Sequence, residues 1–435
     1  MVATVCRKRF KTYVLDEFAR SGRLIIDFEI LGEQMKKIAK LSLVAAVAVA
    51  GLTSANAQPL EEAIKNVDVS GSVVYRYNDY NNDLVGKDSA QTNNYKVALN
   101  LSSKVNEDVK FNSRFIVGNN KNSGFAQLGD NSLGKPNGDV ADQDTGADVS
   151  LSNAYFGYTG IANTTVNVGK QGLTTPWTVA VDSDGNEQTG TGILALSTLG
   201  QVTLAAAYFN QTNLLDSTDA KIGDDALLNG VDGDLDVATV GAIFAAGPVT
   251  LDAWYLDLKD TFDTYTLGAK ASDEISGIKL GADARWASLS FDDSDEDNSM
   301  AKLVLTADAG LVDAKVAYAM TDKDGGLTAL DNDANTTLLG WNLTSNGKAD
   351  ADYWQAVLGF DILSNLNLSA NYGNLQYVID EDDMEEEEVY AQLLYKMSKN
   401  LTTYVRYGTY TKENTTTNSD VNDDTRGRLQ VEYTF

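Results

Sequence analysis

The groups in this chain that could do chemistry are a cluster of carboxylates in one segment and a set of cations spread along alternating stretches. Between Lys170 and Gly190 the chain reads Thr174-Thr175-Pro176-Trp177 and then carries Asp182, Asp184 and Glu187. Arg76, Lys96, Arg114, Arg285, Arg406 and Arg428 each occupy the polar phase of a segment in which apolar and polar residues alternate. Carboxylates facing cations across a narrow aqueous gap would set up a transverse field that orders water and sorts solutes by charge. The plainer readings are that Asp182-Ser183-Asp184-Gly185 is a solvated turn, and that a strand arginine snorkels at a membrane rim. Covalent chemistry has little to use. There is no His, and the single Cys is Cys6. A Ser-His-Asp or Cys-His catalytic group and a His-ligated zinc site are therefore excluded.

Three acidic clusters, Asp182–Glu187, Asp292–Asp297 and Asp380–Glu388, raise the expectation of Ca²⁺ bound by acidic loops, because calcium takes several oxygen ligands. Asp182-x-Asp184-Gly185 matches half of an EF-hand loop, but the Gly is early and no Glu stands at the twelfth position. Charge runs of this kind are also ordinary solvated loops. Asn335 opens a glycan acceptor pattern in a long connection.

The elements that must position these groups read as β-strands. Period-two alternation bounded by turn residues marks eighteen segments: 67–80, 93–103, 108–118, 150–159, 163–170, 191–198, 201–210, 236–246, 248–258, 262–271, 277–289, 298–309, 312–321, 352–361, 366–377, 387–397, 400–411 and 426–435. Many approach the ten or so residues that a tilted membrane strand needs. Connections alternate between short and long, with 259–261 as the exception. A transmembrane antiparallel β-barrel of about eighteen strands, with sixteen as the alternative, has this character: short periplasmic turns at one end and long external loops at the other. Val109, Phe111, Phe115 and Val117 alternate with Lys110, Asn112 and Arg114, giving one face for lipid and one for water. Tyr75, Tyr77, Tyr80, Trp254, Tyr255, Tyr353, Trp354, Tyr407, Tyr410, Tyr433 and Phe435 would form aromatic girdles, although aromatic residues favour any strand. In a barrel of this size something must narrow the lumen. The third long connection, 170–190, is the candidate, with Asp182, Asp184 and Glu187 facing the cations of the opposite wall.

A secretory leader runs from Met35: Lys36, Lys37 and Lys40, an apolar core over 41–52, and an Ala55-Asn56-Ala57 cleavage site that leaves Gln58 as the first mature residue. Residues 1–34 read as a misassigned N-terminal extension, 35–57 as signal peptide and 58–435 as the barrel, with a short turn of helix over 58–66. Residues 1–57 hold 9 of the 34 Lys+Arg and 5 of the 62 Asp+Glu, so 58–435 carries 25 against 57 and a net charge of −32. Nucleic acid is excluded as a partner, and cations are the expected ones.

Pro59-Leu60-Glu61-Glu62-Ala63-Ile64-Lys65, then Val67-Asp68-Val69-Ser70-Gly71 and Tyr75-Arg76-Tyr77, resemble the mature start of the Campylobacter-type major outer membrane porins. The leader and the terminal Tyr433-Thr434-Phe435 are similar to that family too. The resemblance implies a homotrimer in outer-membrane lipid, a third loop folded into the lumen, and a preference for cations. It also implies that Tyr433 and Phe435 signal to the outer-membrane insertion machinery, that Arg76 lies in the lumen, and that divalent cations bind. The expected function is a general diffusion channel for ions and small hydrophilic solutes. The alternatives are a substrate-selective channel, marked by aromatics lining the lumen, and a secreted acidic adhesin or surface protein; the absence of His makes an outer-membrane hydrolase remote.

Overall fold

The computed structural model describes residues 67–84, 89–128, 148–219, 221–222, 225–226, 233–292 and 297–435. The expected N-terminal extension 1–34, the leader with its cleavage site, and the turn of helix over 58–66 lie outside the described residues. The strands are β1 (Val67–Asn82), β2 (Ala90–Lys104), β3 (Val109–Gly118), β4 (Asp148–Ile161), β5 (Thr164–Gly172), β6 (Thr189–Leu199), β7 (Val202–Thr212), β8 (Val237–Ala246) and β9 (Val249–Leu258). They continue as β10 (Phe262–Ile275), β11 (Ile278–Phe291), β12 (Asp297–Asp308), β13 (Val312–Thr321), β14 (Ala349–Leu363), β15 (Leu366–Ile379), β16 (Asp382–Lys396), β17 (Leu401–Asn414) and β18 (Ser419–Thr434).

Each strand pairs antiparallel with its chain neighbours, and β1 also pairs with β18 from Ser72↔Thr434 to Asn82↔Asp424, which closes the sheet. Closure satisfies every edge within the wall, the condition for backbone to cross hydrocarbon. Among the described residues no helix is long and apolar enough to cross a membrane. The alternation holds around the wall. Tyr265, Leu267, Trp286, Leu303, Leu305 and Leu358 are exposed, while Arg76, Lys96, Thr264, Thr266 and Arg285 are buried. At one end the connections are tight; Gly247 (φ 60°) and Gly277 (φ 81°) occupy left-handed positions that a side chain would strain. At the other end lie the loops, of which 173–188 (L3), 213–236 (L4) and 322–348 (L7) matter below.

Two expected loops are largely strand. The segments 378–386 and 412–425 are hairpin extensions joined by Asp380-Glu381 (φ 50° and 71°) and by residues 415–418. The carboxylates of Asp380–Glu388 therefore alternate between faces and supply no common ligand set. The aromatic girdle also needs correction. Tyr75, Trp354, Tyr407, Tyr433 and Phe435 are exposed, whereas Tyr353 and Tyr410 are buried and Trp254 packs against an interior apolar cluster.

The chain end fastens the seam. Phe435 N donates to Gly71 O and Gly71 N to Phe435 O, both at 3.0 Å. A Cβ on Gly71 would lie 2.7 Å from the Phe435 ring and 2.2 Å from Ala98 O. Deleting Phe435 removes both hydrogen bonds, each worth ~1 kcal/mol, together with the ring packing. The folded, heat-modifiable gel band of the refolded protein is expected to shrink in Phe435 deletion and in Gly71→Leu, while Phe435→Tyr keeps it. An undiminished band in both damaged variants would show that the seam tolerates an open end.

Candidate pore constriction

L3 leaves β5, folds into the barrel and returns to β6. Its inward course is set first by apolar burial. Trp177 is fully buried with Leu173 against Phe209, Leu256, Leu258, Phe262 and Leu289 of the wall, Leu214 of L4, and Leu327 and Leu330 of L7. Backbone bonds tie the loops together: Leu330 N donates to Trp177 O (2.8 Å) and Thr336 N to Pro176 O (3.1 Å). Gln188 donates from Nε2 to the carbonyls of Ser217 and Leu330, each at 3.1 Å, so one amide joins L3, L4 and L7.

Charge then fixes the loop to the wall. Glu187, 1% exposed, accepts from Lys96 Nζ (2.6 Å), from Arg114 Nη2 (2.8 Å) and from Ser152 Oγ. Burial pushes its pKa up, but the Arg114 hydrogen bond and the Lys96 charge outweigh that and hold it below the usual range. Asp184 meets Arg76 Nη1 at 2.9 Å and Arg428 Nη1 at 3.5 Å. Arg76 also donates from Nη2 to Ser183 O (2.7 Å). These cations stand on β1, β2, β3 and β18, the wall on which L3 rests. The expectation that Asp184 and Glu187 look across a gap at them is corrected: they are in direct contact, and Lys96, Arg114 and Arg76 hold the loop. Glu187, which has left water, finds its partners at bonding distance, since a separated buried charge is costly; Asp184 stays exposed at the surface of the loop.

Asp182 turns the other way. It accepts from the Asn186 backbone (2.7 Å) and side chain (2.8 Å), and its carboxylate lies within 4.8 Å of those of Asp219 and Asp331. Asp331 is fully buried, and its Oδ2 has no hydrogen-bond partner among the described residues. Burial pushes Asp182 up to about 7 and Asp331 up to about 8, with the neighbouring carboxylates adding to the rise. Oxygen ligands from three loops converge there in a form that suits a hard divalent cation. For the other clusters, residues 293–296 lie outside the described residues.

Beside β16–β18 lies a cavity of about 490 Å³, referred to below as the passage. Its lining includes Asp184 of L3, Asp333 and Trp341 of L7, and Lys302, Arg406 and Arg428 of the wall. Residues 35–435 match the family model described as Campylobacter major outer membrane protein. The chain belongs to that family. No curated protein matches it in sequence. In fold the porin is similar to Acinetobacter baumannii OccAB3 (TM-score 0.68, 15% identity, 85% of this chain and 99% of that one). It is also similar to Pseudomonas aeruginosa OpdL (TM-score 0.67, 18%, 85% and 99%) and to P. aeruginosa OpdK (TM-score 0.64, 17%, 85% and 98%). It is a closed, eighteen-stranded antiparallel barrel of the outer membrane.

The porin's other predicted site residues divide. Arg406 and Arg428 line the passage. Arg285 does not: it forms a bidentate pair with Asp252 (2.9 and 2.8 Å) on another part of the wall. L7 is the element the sequence reading left outside. Most of 326–346 is buried, and Glu388 on β16 grips its tip by accepting from Trp341 N (2.9 Å) and Asn342 N (2.8 Å). Asn335, expected on an external loop, lines the passage. The apolar run Leu338-Leu339-Gly340-Trp341-Asn342-Leu343 inside a polar loop was the available signal, because a solvated loop has no use for it.

Proposed function

We propose that this porin forms a passive, water-filled, cation-preferring channel for ions and small hydrophilic solutes. The observation that supports it is the lining of the passage, where Asp184, Asp219 and Asp333 of the loops stand together with Lys302, Arg406 and Arg428 of the wall. Such a field orients dipolar solutes, while the large acidic excess of the chain concentrates cations at its mouth. The test is planar-bilayer recording of refolded 58–435 under a potassium chloride gradient. Stepwise conductance with a cation-selective reversal potential is expected, and an anion-selective potential would overturn the preference. A homotrimer fits closed cyclic symmetry, and Tyr433 and Phe435 are the proposed handle for the insertion machinery.

Asp182, Asp219 and Asp331 are the proposed seat for one Ca²⁺, which would join L3, L4 and L7. The unpartnered Asp331 Oδ2 supports it. Calorimetric titration with calcium chloride is expected to show saturable binding that Asp331→Asn weakens about tenfold or more, since ligand charge count tunes such sites. Equal affinity in both proteins would remove the seat. A substrate-selective channel is the second reading. It is favoured by Trp341, Tyr390 and Tyr404, aromatic residues lining the passage. OpdK was solved with vanillate.

A further inference from the structure

The acids and cations of the passage are not equally occupied. Asp184 is held by Arg76 and Arg428. Asp333 accepts from Ser183 N (3.0 Å) and Oγ (2.8 Å), and Asp219 lies with Asp182 and Asp331. Arg406 and Lys302, by contrast, meet no carboxylate among the described residues. Arg406 donates from Nε (3.0 Å) and Nη2 (2.7 Å) to Gln392 Oε1, and Lys302 donates to Thr337 O (2.8 Å). Nη1 of Arg406 makes no hydrogen bond among the described residues. The guanidinium is framed by three rings, with Trp341, Tyr390 and Tyr404 centred 5.0, 5.0 and 5.4 Å from Cζ. Trp341 is itself fixed, edge-on to Tyr390 at 5.2 Å and gripped through its backbone by Glu388.

This is more than a stray lumen charge. Gln392 holds one edge of the guanidinium and the rings fix its plane, so the remaining N–H groups are aimed without further ordering. An oriented guanidinium fork matches a carboxylate, and aromatic faces beside it give a flat organic body somewhere to lie. The passage has the volume of a small-molecule site, about 490 Å³. Lys302 stands along the same passage as a second cation.

We propose that Arg406, framed by Trp341, Tyr390 and Tyr404, is a subsite for the carboxylate of a small planar organic acid passing through the channel. The proposal rests on the channel reading. A solute of this class would dwell at Arg406 and leave past Lys302, even though the mouth favours cations for simple salts. Selectivity among small ions is set by the averaged field. The dwell of an organic acid is set by one oriented contact.

Single-channel recording of the refolded protein separates the two readings. Sodium benzoate is the probe, with benzamide as its uncharged counterpart of the same shape. Benzoate is expected to produce brief, concentration-dependent blockades, and benzamide tenfold fewer or none at the same concentration. Arg406→Gln is expected to weaken benzoate blockade tenfold or more. Arg406→Lys, which keeps charge but loses the fork, should fall between. Lys279→Gln, at the exposed start of β11, should behave as wild type. Open channels that ignore benzoate, equal blockade by benzamide, or unchanged blockade in Arg406→Gln would each overturn the subsite while leaving the channel intact. Absence of any conductance from folded protein would instead overturn the channel reading. A band-shift check of folding in every variant keeps a misfolded barrel from being taken for either result.

Discussion

Glu187→Gln is expected to widen the channel, raising single-channel conductance about twofold and adding current noise, as a loop that narrows the lumen lets go. Glu187 is a buried acceptor for Lys96, Arg114 and Ser152 together. The neutral amide leaves the buried Lys96 and the half-buried Arg114 side by side without the charge that joined them. Removing one partner of a buried pair costs about 3–5 kcal/mol, and here it falls on the docked state of L3 rather than on the strands. Wild-type protein should show the same change in acid. The Glu187 pKa is held below the usual range, so the contact is complete above the ordinary glutamate pKa and is lost only as pH falls through the lower, folded value. Conductance should therefore stay level from neutral pH down to that range and rise below it, while Glu187→Gln starts high and stays flat. Unchanged conductance in the variant would show that the apolar contacts of L3 suffice without the charges.

That division between charge and apolar packing also explains what could be read from sequence. The wall was legible because one side of each strand meets hydrocarbon and the other water, which writes a period of two into the chain. Where both sides meet water the signal fades. β16 begins at Asp382 and β18 at Ser419, both inside polar stretches that read as loop. The constriction was legible only in part. Asp184 and Glu187 stood out by type and place, and so did Arg76, Lys96 and Arg114. Their pairing was not, because it depends on which wall L3 leans against. Glu388 was hidden in a run of acids from Glu385 to Glu388, where alternation turns one residue to L7 and its neighbour outward. L7 was missed because nothing local says that Leu338 and Leu343 find their partners in Tyr353 and Leu375 on the wall.

Trp177→Ala tests the apolar half of the design, and its effect should equal or exceed that of Glu187→Gln. The ring is fully buried where L3, L4, L7 and the wall meet. Emptying such a site costs ~3–5 kcal/mol. No strand depends on it, so the loss should appear as loosened loops inside an intact barrel. Heat-modifiable mobility should be close to wild type. Limited proteolysis should newly cut within 173–188 and 322–348, and the open current should become noisy with long excursions to higher levels. Trp177→Phe discriminates packing from hydrogen bonding. The indole Nε1 has no partner among the described residues, so Phe gives up ring volume but no bond, and removes a buried donor that costs about 1–3 kcal/mol when unsatisfied. It should behave nearly as wild type. If Phe instead proved as disruptive as Ala, the N–H would have to be bonded in the working channel and the apolar account of L3 would fail. If Ala left both proteolysis and current untouched, the loop would be held by Glu187 and Asp184 alone. The double variant with Glu187→Gln would then release it completely, where additive behaviour is otherwise expected only for sites that share no partners.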